Sequence, residues 1–542
     1  MKKTKYFLAA LLVLTIPTYW RMIRGGIFST QDPHLFRFIE FDKCVRDLQI
    51  PCRWAPDSGF GFGEPLFNFY GQLSYAIGEI FHLAGFQLID SLKMLFVLSL
   101  VGSGISMFFL SRKIWKSNLA GLVSGILYIY APYRAVDVWV RGALPEALSF
   151  VLFPLILLKI EDVFEKGKTK DFLWLSFFVS LLILTHNLSF VMFLPVILIW
   201  VTNRFLLIRN RSIMTKLFLS FIFSLAISSF YILPVLFESK FINLKSTTFG
   251  YFDFRGHFDT LYQILFSRYW GYGASLFGPE DGLNLSVGLF QWLIPTFVLM
   301  IVIFRKSLTK NKNFLVWFFL GWLMLFLTHN KSTIIWENFT PLAYIQFPWR
   351  FLSVAVFCFA LASGIIVELF NNHKSLVAIL VCGMVILNTF SFFREDIWYK
   401  TTDKELLSSS WWNIQKTTSV GDYWPNFGAN IPVSLAPDQF EGQKLIAKTT
   451  KSSAYEVLDA EGRISFPIIF FPGWHAKLDQ TVLNTYPNEK GLVTIDVNKK
   501  NTEVDLSFEN TQIRSIGNSI SVISTVLLFV GLVKFRKYEK QK

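Results

Sequence analysis

The feature that most constrains this chain is a succession of apolar runs, each roughly fifteen to twenty residues long, parted by short loops rich in Lys and Arg. Lipid admits only structures that satisfy every backbone polar group internally, which means helices or closed barrels. The runs are too long for barrel strands. The expectation is therefore a polytopic α-helical membrane protein. A chain of 542 residues that is 53% hydrophobic and only 17% charged is not a soluble globular protein. The net charge of +14 fits Lys and Arg held on one side of a membrane. No basic-aromatic platform or nucleic-acid motif accompanies it, so no nucleic acid is expected as partner.

Twelve spans make the charges consistent: about 6–23, 91–110, 117–132, 144–159, 171–185, 188–203, 216–237, 285–304, 314–328, 351–370, 375–393 and 518–535. The basic loops then fall on one side, among them Arg112, Lys113 and Lys116; Lys159 to Lys170; Arg204 to Lys216; and Arg305 to Lys312. Both termini are expected in the cytoplasm of a plasma-membrane protein. The N-terminal segment has a charged start and an apolar core without a small-x-small cleavage site, so it reads as a retained first helix. The stretch Leu66 to Phe86 must not span, or every later loop would reverse. It carries Asn68, Gln72, Glu79 and His82, and reads as an amphipathic helix at the outer interface.

The long polar segments then gather on the extracytoplasmic face: 24–90, 133–143, 186–187, 238–284, 329–350 and 394–517. Block 394–517 alternates apolar and polar residues, as in Arg463 to Phe471 and Leu492 to Val497. Turn clusters such as Pro472-Gly473, Pro487-Asn488 and 498–501 punctuate it. That pattern argues a small antiparallel β-domain. The division is a membrane domain over 1–393, a β-rich domain over 394–517, and a final helix with a basic tail over 518–542. Cys358 and Cys382 lie in apolar runs and read as small hydrophobes. Cys44 and Cys52 share the first outer loop, where a disulfide follows if that loop faces an oxidising side.

That first loop, Phe28 to Tyr70, holds the most chemistry. Asp32-Pro33-His34 follows the first span closely. Asp32 suits a general base, with His34 orienting it or sharing its proton. The same pair suits a divalent cation such as Mg or Mn. The plainer reading is a capping Asp beside a solvated His. Arg37 lies on the same loop. Arg134, Asp137, Arg141 and Glu146 cluster at the outer ends of two spans. They read either as interfacial anchors and salt bridges or as an anion site in which Arg grips a phosphate. His186-Asn187 interrupts a long apolar stretch, as a turn or as the lining of a shared cavity. Trp349 and Arg350 precede the tenth span, as belt residues or as a second phosphate contact. Asp253, Arg255, His257, Asp259, Arg268 and Glu280 lie among aromatics that suit carbohydrate stacking. Walker A, GxSxG, HExxH and CxxC signatures do not occur.

A first span, an outer loop carrying Asp, a surface helix and many further spans resemble the GT-C class of membrane glycosyltransferases. More closely, the chain resembles the membrane family labelled 6-pyruvoyl-tetrahydropterin synthase-related and its YfhO-like relatives. The residues that carry the resemblance are QDPHLFRF at 31–38, the run at 50–70, YRAVDVWVRGALPEAL at 133–148, LTHNLS at 184–189, FPWRFL at 347–352, GDYWP at 421–425 and FPGWHAKLD at 471–479. Nothing in the chain resembles a pterin-synthase metal site. The resemblance implies transfer of a sugar from a polyprenyl-phosphate donor, within membrane lipid, to a glycan, lipid or protein acceptor of the cell envelope. It places Asp32 where the class carries its acidic base or metal ligand, and makes Arg141 or Arg350 the donor-phosphate contact. Asp32-Pro33-His34 stands where some GT-C groups have paired acids. The rival readings are a lipid-linked glycan flippase, which would bury charges deep in broken helices, and a non-catalytic envelope scaffold.

Overall fold

The computed structural model describes residues 2–278, 280–307, 312–418, 423–428, 431–458, 462–478, 481–497 and 502–540. Lys310, the first two residues of the 421–425 motif, Asp479 and the turn at 498–501 lie outside the described residues.

A helix occupies each of the twelve expected segments, from Lys2–Thr15 through Leu88–Trp115 and Leu144–Lys166 to Gln512–Lys540. Length and apolarity are sufficient for crossing in five of them: Leu88–Trp115, Asn187–Ile208, Pro348–Leu369, Lys374–Phe392 and Gln512–Phe535. Two bent pairs raise that number to seven. Asn118–Ile129 continues into Pro132–Arg141 at 54°, and Arg211–Ile227 into Ser229–Phe241 at 75°. The expected count of twelve thus exceeds what length and composition alone support. Leu289–Phe304 and Lys312–Phe326 are shorter apolar helices, and Leu144–Lys166 carries Glu161 and Asp162.

Local chemistry sets the helix ends. The Ser117 and Asn210 side chains accept from the N–H groups of Ala120 and Ile213, satisfying donors that a helix start leaves free. Leu352–Ser363 is apolar on every side and buried on every side, so it forms the centre of the bundle. Phe357 there meets Phe193 edge-on at 5.2 Å, and Phe193 stacks on Phe153 at 4.2 Å.

The stretch 66–86 divides into Leu66–Phe69 and Leu73–Leu83. Eleven residues reach only about 16 Å, half a bilayer core. Ile80 and Leu83 are exposed while Tyr75 and Glu79 are buried, as an amphipathic helix lying on a surface requires.

The strands are β1 (Ile27–Phe28), β2 (Trp398–Tyr399), β3 (Gln443–Lys448), β4 (Ser452–Val457), β5 (Gly462–Ile469), β6 (Trp474–Leu478), β7 (Thr481–Leu483), β8 (Tyr486–Pro487), β9 (Leu492–Val497) and β10 (Thr502–Phe508). Two antiparallel sheets form, in the orders β3-β4-β10-β6-β7 and β5-β9-β8. Strand β10 alternates buried and open residues, the signature of a half-covered face. The expected β-domain is narrower than 394–517. Residues 394–442 contain the short helices Asp403–Ser408 and Ser410–Lys416, started by the Thr402 and Ser409 side chains. Thr402 and Ser409 there serve as helix caps.

The first loop enters the β core. Trp54 packs edge-on against Trp474 at 5.2 Å and against Phe508 at 4.8 Å, and Phe69 joins the same cluster. Cys44 and Cys52 are joined by a disulfide with Cα atoms 5.5 Å apart. Strand β1 pairs with β2. The fully buried Arg514, at the base of the last helix, donates to Glu238 at 2.9 Å and to the Pro472 carbonyl at 2.7 Å, fastening the sheets to the bundle.

Candidate active site

Two segments far apart in sequence are strapped together by backbone hydrogen bonds. Gln31 donates its N–H to the Val140 carbonyl at 3.2 Å, and Asp32 to the Arg141 carbonyl at 2.9 Å. The partner segment, Val136–Arg141, is a π-helical turn ended by Gly142 at φ 64°. Wider turns of this kind re-aim side chains and collect at functional sites. Glycine is needed at 142, because a Cβ would lie 2.4 Å from the Thr30 side chain.

The Asp32 carboxylate leaves 40% of its side-chain surface open, while His34 beside it is 2% exposed. His34 Nε2 stands 3.6 Å from Asp32 Oδ2, and Nδ1 is 2.8 Å from the Tyr75 hydroxyl. Burial opposes the charged carboxylate. His34, with Nε2 turned to the carboxylate at 3.6 Å, and the charges of Arg141 and Arg37 outweigh it and hold Asp32 well below the usual carboxylate range. Burial pushes His34 down, with Arg37 and Arg141 adding to the effect against Asp32.

Around the π-helical turn, four ionised groups interlock. Asp137 accepts from Arg134 and Arg141, each at 3.2 Å, and Glu146 accepts from Arg141 at 2.9 Å and from the Tyr133 hydroxyl at 2.6 Å. Arg134 is fully buried, stacked 4.0 Å from Phe150 and donating to the Ala147 and Ser99 carbonyls. It is a buttress within the bundle. Arg141 lies 4.6 Å over Trp349, whose indole N–H donates to Ser275 Oγ at 3.0 Å. Ser275 Oγ is in turn 3.0 Å from His257 Nδ1, so the aromatic loop 238–284 is tied to the site through these two residues.

Two further guanidiniums reach the same neighbourhood. Arg37 lies 4.4 Å over Tyr70. Arg350 donates to the Ile345 carbonyl at 2.8 Å and to Gln346 Oε1 at 3.2 Å. Both have a buried Nε without a hydrogen-bond partner, and among the described residues neither is ion-paired. His186 feels Glu146, Arg350, Arg141 and Asp32, and burial pushes it down to about 3. Its Nδ1 is 2.7 Å from Ser189 Oγ. Asn187 Oδ1 accepts from the Leu188 N–H, so its carbonyl serves the helix start.

Arg134 and Asp137 cancel each other. The remaining guanidiniums of Arg37, Arg141 and Arg350 face the carboxylates of Asp32 and Glu146, leaving one positive charge in excess. Such an excess suits an anion beside an open carboxylate. A resident divalent cation does not fit. Asp32 and His34 supply only two donors, and two guanidiniums act on that same carboxylate. Among the described residues no group of three His, Cys, Asp or Glu side chains is placed to hold a metal. The outer-loop residues Asp253, Arg255, Arg268 and Glu280 stay apart from the cluster. Arg255 pairs with Asp253 and Glu337 on the surface, and Arg268 donates to the Asn388 carbonyl. Tyr70, Tyr75 and Tyr133 escaped the sequence reading, though each lies within a motif already singled out.

These features define a helical membrane protein with a cluster of buried guanidiniums and carboxylates around its first loop and π-helical turn. The chain belongs to the 6-pyruvoyl-tetrahydropterin synthase related membrane-protein family, whose family model matches residues 67–395. An uncharacterized protein of Lactococcus lactis subsp. cremoris (strain MG1363) is 26% identical over 286 residues, 48% of this chain and 46% of that protein. The chain thus spans about half the length of this curated relative. The cryo-EM structure of the arabinofuranosyltransferase AftD from mycobacteria is similar at a TM-score of 0.43 and 15% identity, over 77% of this chain and 29% of that one.

Proposed function

We propose that this protein is a membrane glycosyltransferase of the GT-C kind, moving a sugar from a polyprenyl-phosphate donor to an acceptor hydroxyl on the extracytoplasmic side. One observation carries the reading. An open carboxylate, Asp32, lies within electrostatic reach of two guanidiniums, Arg37 and Arg350, that among the described residues pair with no carboxylate. Cations of that kind fit a phosphate, and the carboxylate fits an acceptor proton.

In this reaction the acceptor oxygen bonds to the anomeric carbon, and the carbon–oxygen bond to the phosphate breaks. The electron pair leaves on the polyprenyl phosphate, and the acceptor proton passes to Asp32. Phosphate is a good leaving group, so the protein contributes positioning and charge stabilisation. Donor binding also tunes the base. A phosphate beside Arg37 and Arg141 offsets the charges that hold Asp32 acidic, making the carboxylate a better proton acceptor in the complex. The disulfide of the first loop supports an oxidising, extracytoplasmic placement for the site. The basic short loops would then face the cytoplasm with both termini. The β region beside the first loop is suited to hold an acceptor glycan, lipid or protein.

The test is transfer by purified protein from a panel of polyprenyl-phosphate sugars, wild type beside Asp32→Asn. Loss of transfer in a variant that keeps its melting temperature is expected. Undiminished transfer by that variant would overturn Asp32 as the base.

A further inference from the structure

His34 can carry its proton on either ring nitrogen, and the two tautomers give it opposite roles toward Asp32. With the proton on Nε2 it donates to the carboxylate. With the proton on Nδ1 it presents a lone pair to a carboxylate oxygen and competes for the same proton.

We infer that Tyr75 is a positioning residue whose phenol donates to His34 Nδ1, fixing the Nε2–H tautomer and making His34 a dedicated donor to Asp32. The inference rests on the reading of Asp32 as the working carboxylate. Three contacts support it. The Tyr75 hydroxyl and His34 Nδ1 are 2.8 Å apart, both groups being buried. His34 Nε2 is buried, has no other hydrogen-bond partner, and faces Asp32 Oδ2 at 3.6 Å. A lone pair there would meet another lone pair in a water-poor setting, whereas an N–H meets an acceptor. The guanidinium of Arg37, which has only donors, lies beside the phenol oxygens of Tyr70 and Tyr75. A donor beside the Tyr75 oxygen favours a phenol proton turned toward His34. The donors therefore point one way, from the Tyr75 hydroxyl to His34 Nδ1 and from His34 Nε2 toward Asp32.

The arrangement has a chemical consequence. A His34 committed as donor cannot accept the acceptor's proton, so the proton goes to Asp32 alone. Its contribution is to hold the carboxylate in one rotamer with one oxygen free for the incoming hydroxyl.

The test is 15N NMR of the full-length protein in nanodiscs with labelled histidine, the His34 signals assigned by their loss in His34→Gln. Wild type is expected to show a neutral ring protonated on Nε2. Asp32→Asn should keep that tautomer, and Tyr75→Phe should lose it to a mixture or to Nδ1–H. A wild-type ring protonated on Nδ1 would sink the inference, and this reading needs no known substrate. A Tyr75→Phe ring that stays wholly on Nε2–H would also sink it. Where transfer is measured, Tyr75→Phe should lower kcat on the order of tenfold with KM for the donor unchanged. The spectrum thus separates failure of the tautomer from failure of the transferase reading.

Discussion

The Asp32 backbone N–H donates to the Arg141 carbonyl at 2.9 Å, so the carboxylate and the π-helical turn share one frame. A shift of either segment moves the other. Open carboxylate and cation are held at a fixed separation by backbone, which is stiffer than any pair of long side chains.

Arg37 and Arg350 differ from Arg134 in what they hold. Among the described residues the first two pair with no carboxylate, and each keeps a buried Nε unpartnered. Replacing either with Met should leave the fold intact and raise KM for a polyprenyl-phosphate donor by roughly tenfold to a hundredfold, the worth of a charge-assisted hydrogen bond. Steady-state kinetics at varied donor concentration check this. An unchanged KM in both variants would remove the phosphate from this part of the cluster.

Arg134 and Asp137 form a fully buried pair at 3.2 Å. Arg134→Met alone leaves Asp137 sharing only Arg141, and should cost about 3–5 kcal/mol. The double variant Arg134→Met with Asp137→Leu should recover much of that loss. Thermal unfolding in detergent of the two single variants and the double variant measures the coupling.

His186 is pushed from 6.5 to about 3 by burial, with Arg350 and Arg141 adding to it and Glu146 and Asp32 opposing. In the unfolded chain this imidazole takes up a proton near pH 6.5, while in the folded protein it stays neutral until about pH 3. Its neutral form therefore supports the fold above pH 6.5, and that support is lost as pH falls from 6.5 toward 3. His34 acts in the same direction. Asp32 is depressed instead, so its contribution is present above its ordinary value of 3.8 and is lost only below that. Unfolding midpoints between pH 7 and 4.5 should fall in the wild type. They should fall less steeply, by up to one proton's worth of slope, in His186→Gln.

Sidedness is open to direct labelling. Glu441 sits exposed ahead of β3, and Arg211 sits exposed at the start of Arg211–Ile227, while Cys358 and Cys382 are buried. A cysteine at 441 should react with a membrane-impermeant maleimide in intact cells, and one at 211 only after permeabilisation. The reverse pattern would place the Asp32 site in the cytoplasm.

Much of this was legible in the chain. A helix occupies each of the twelve segments that an apolar run announced, because a long stretch of apolar side chains admits little else in lipid. The pieces of the site were legible singly, since Asp32, Arg141 and Arg350 are charges at the edges of such runs. Their convergence was not, because it depends on a π-helical turn whose six residues, VDVWVR, show no periodicity of their own. Tyr75 was hidden for a related reason: on a helix that also carries Ser74, Glu79 and His82, its hydroxyl does not stand out. Residues 403–416, read with the β block, form two short helices started by Thr402 and Ser409.

Trp54, carried by the first loop, lies in the core formed by Trp474 and Phe508. A ribosome must therefore deliver more than four hundred further residues before the loop bearing Asp32 meets its final neighbours. Until then that loop has its backbone pairing with Val140 and Arg141 but lacks the core that seats Trp54. Truncation from the C-terminus would unseat the loop from afar, so the frame around Asp32 closes only with the arrival of the last fifth of the chain.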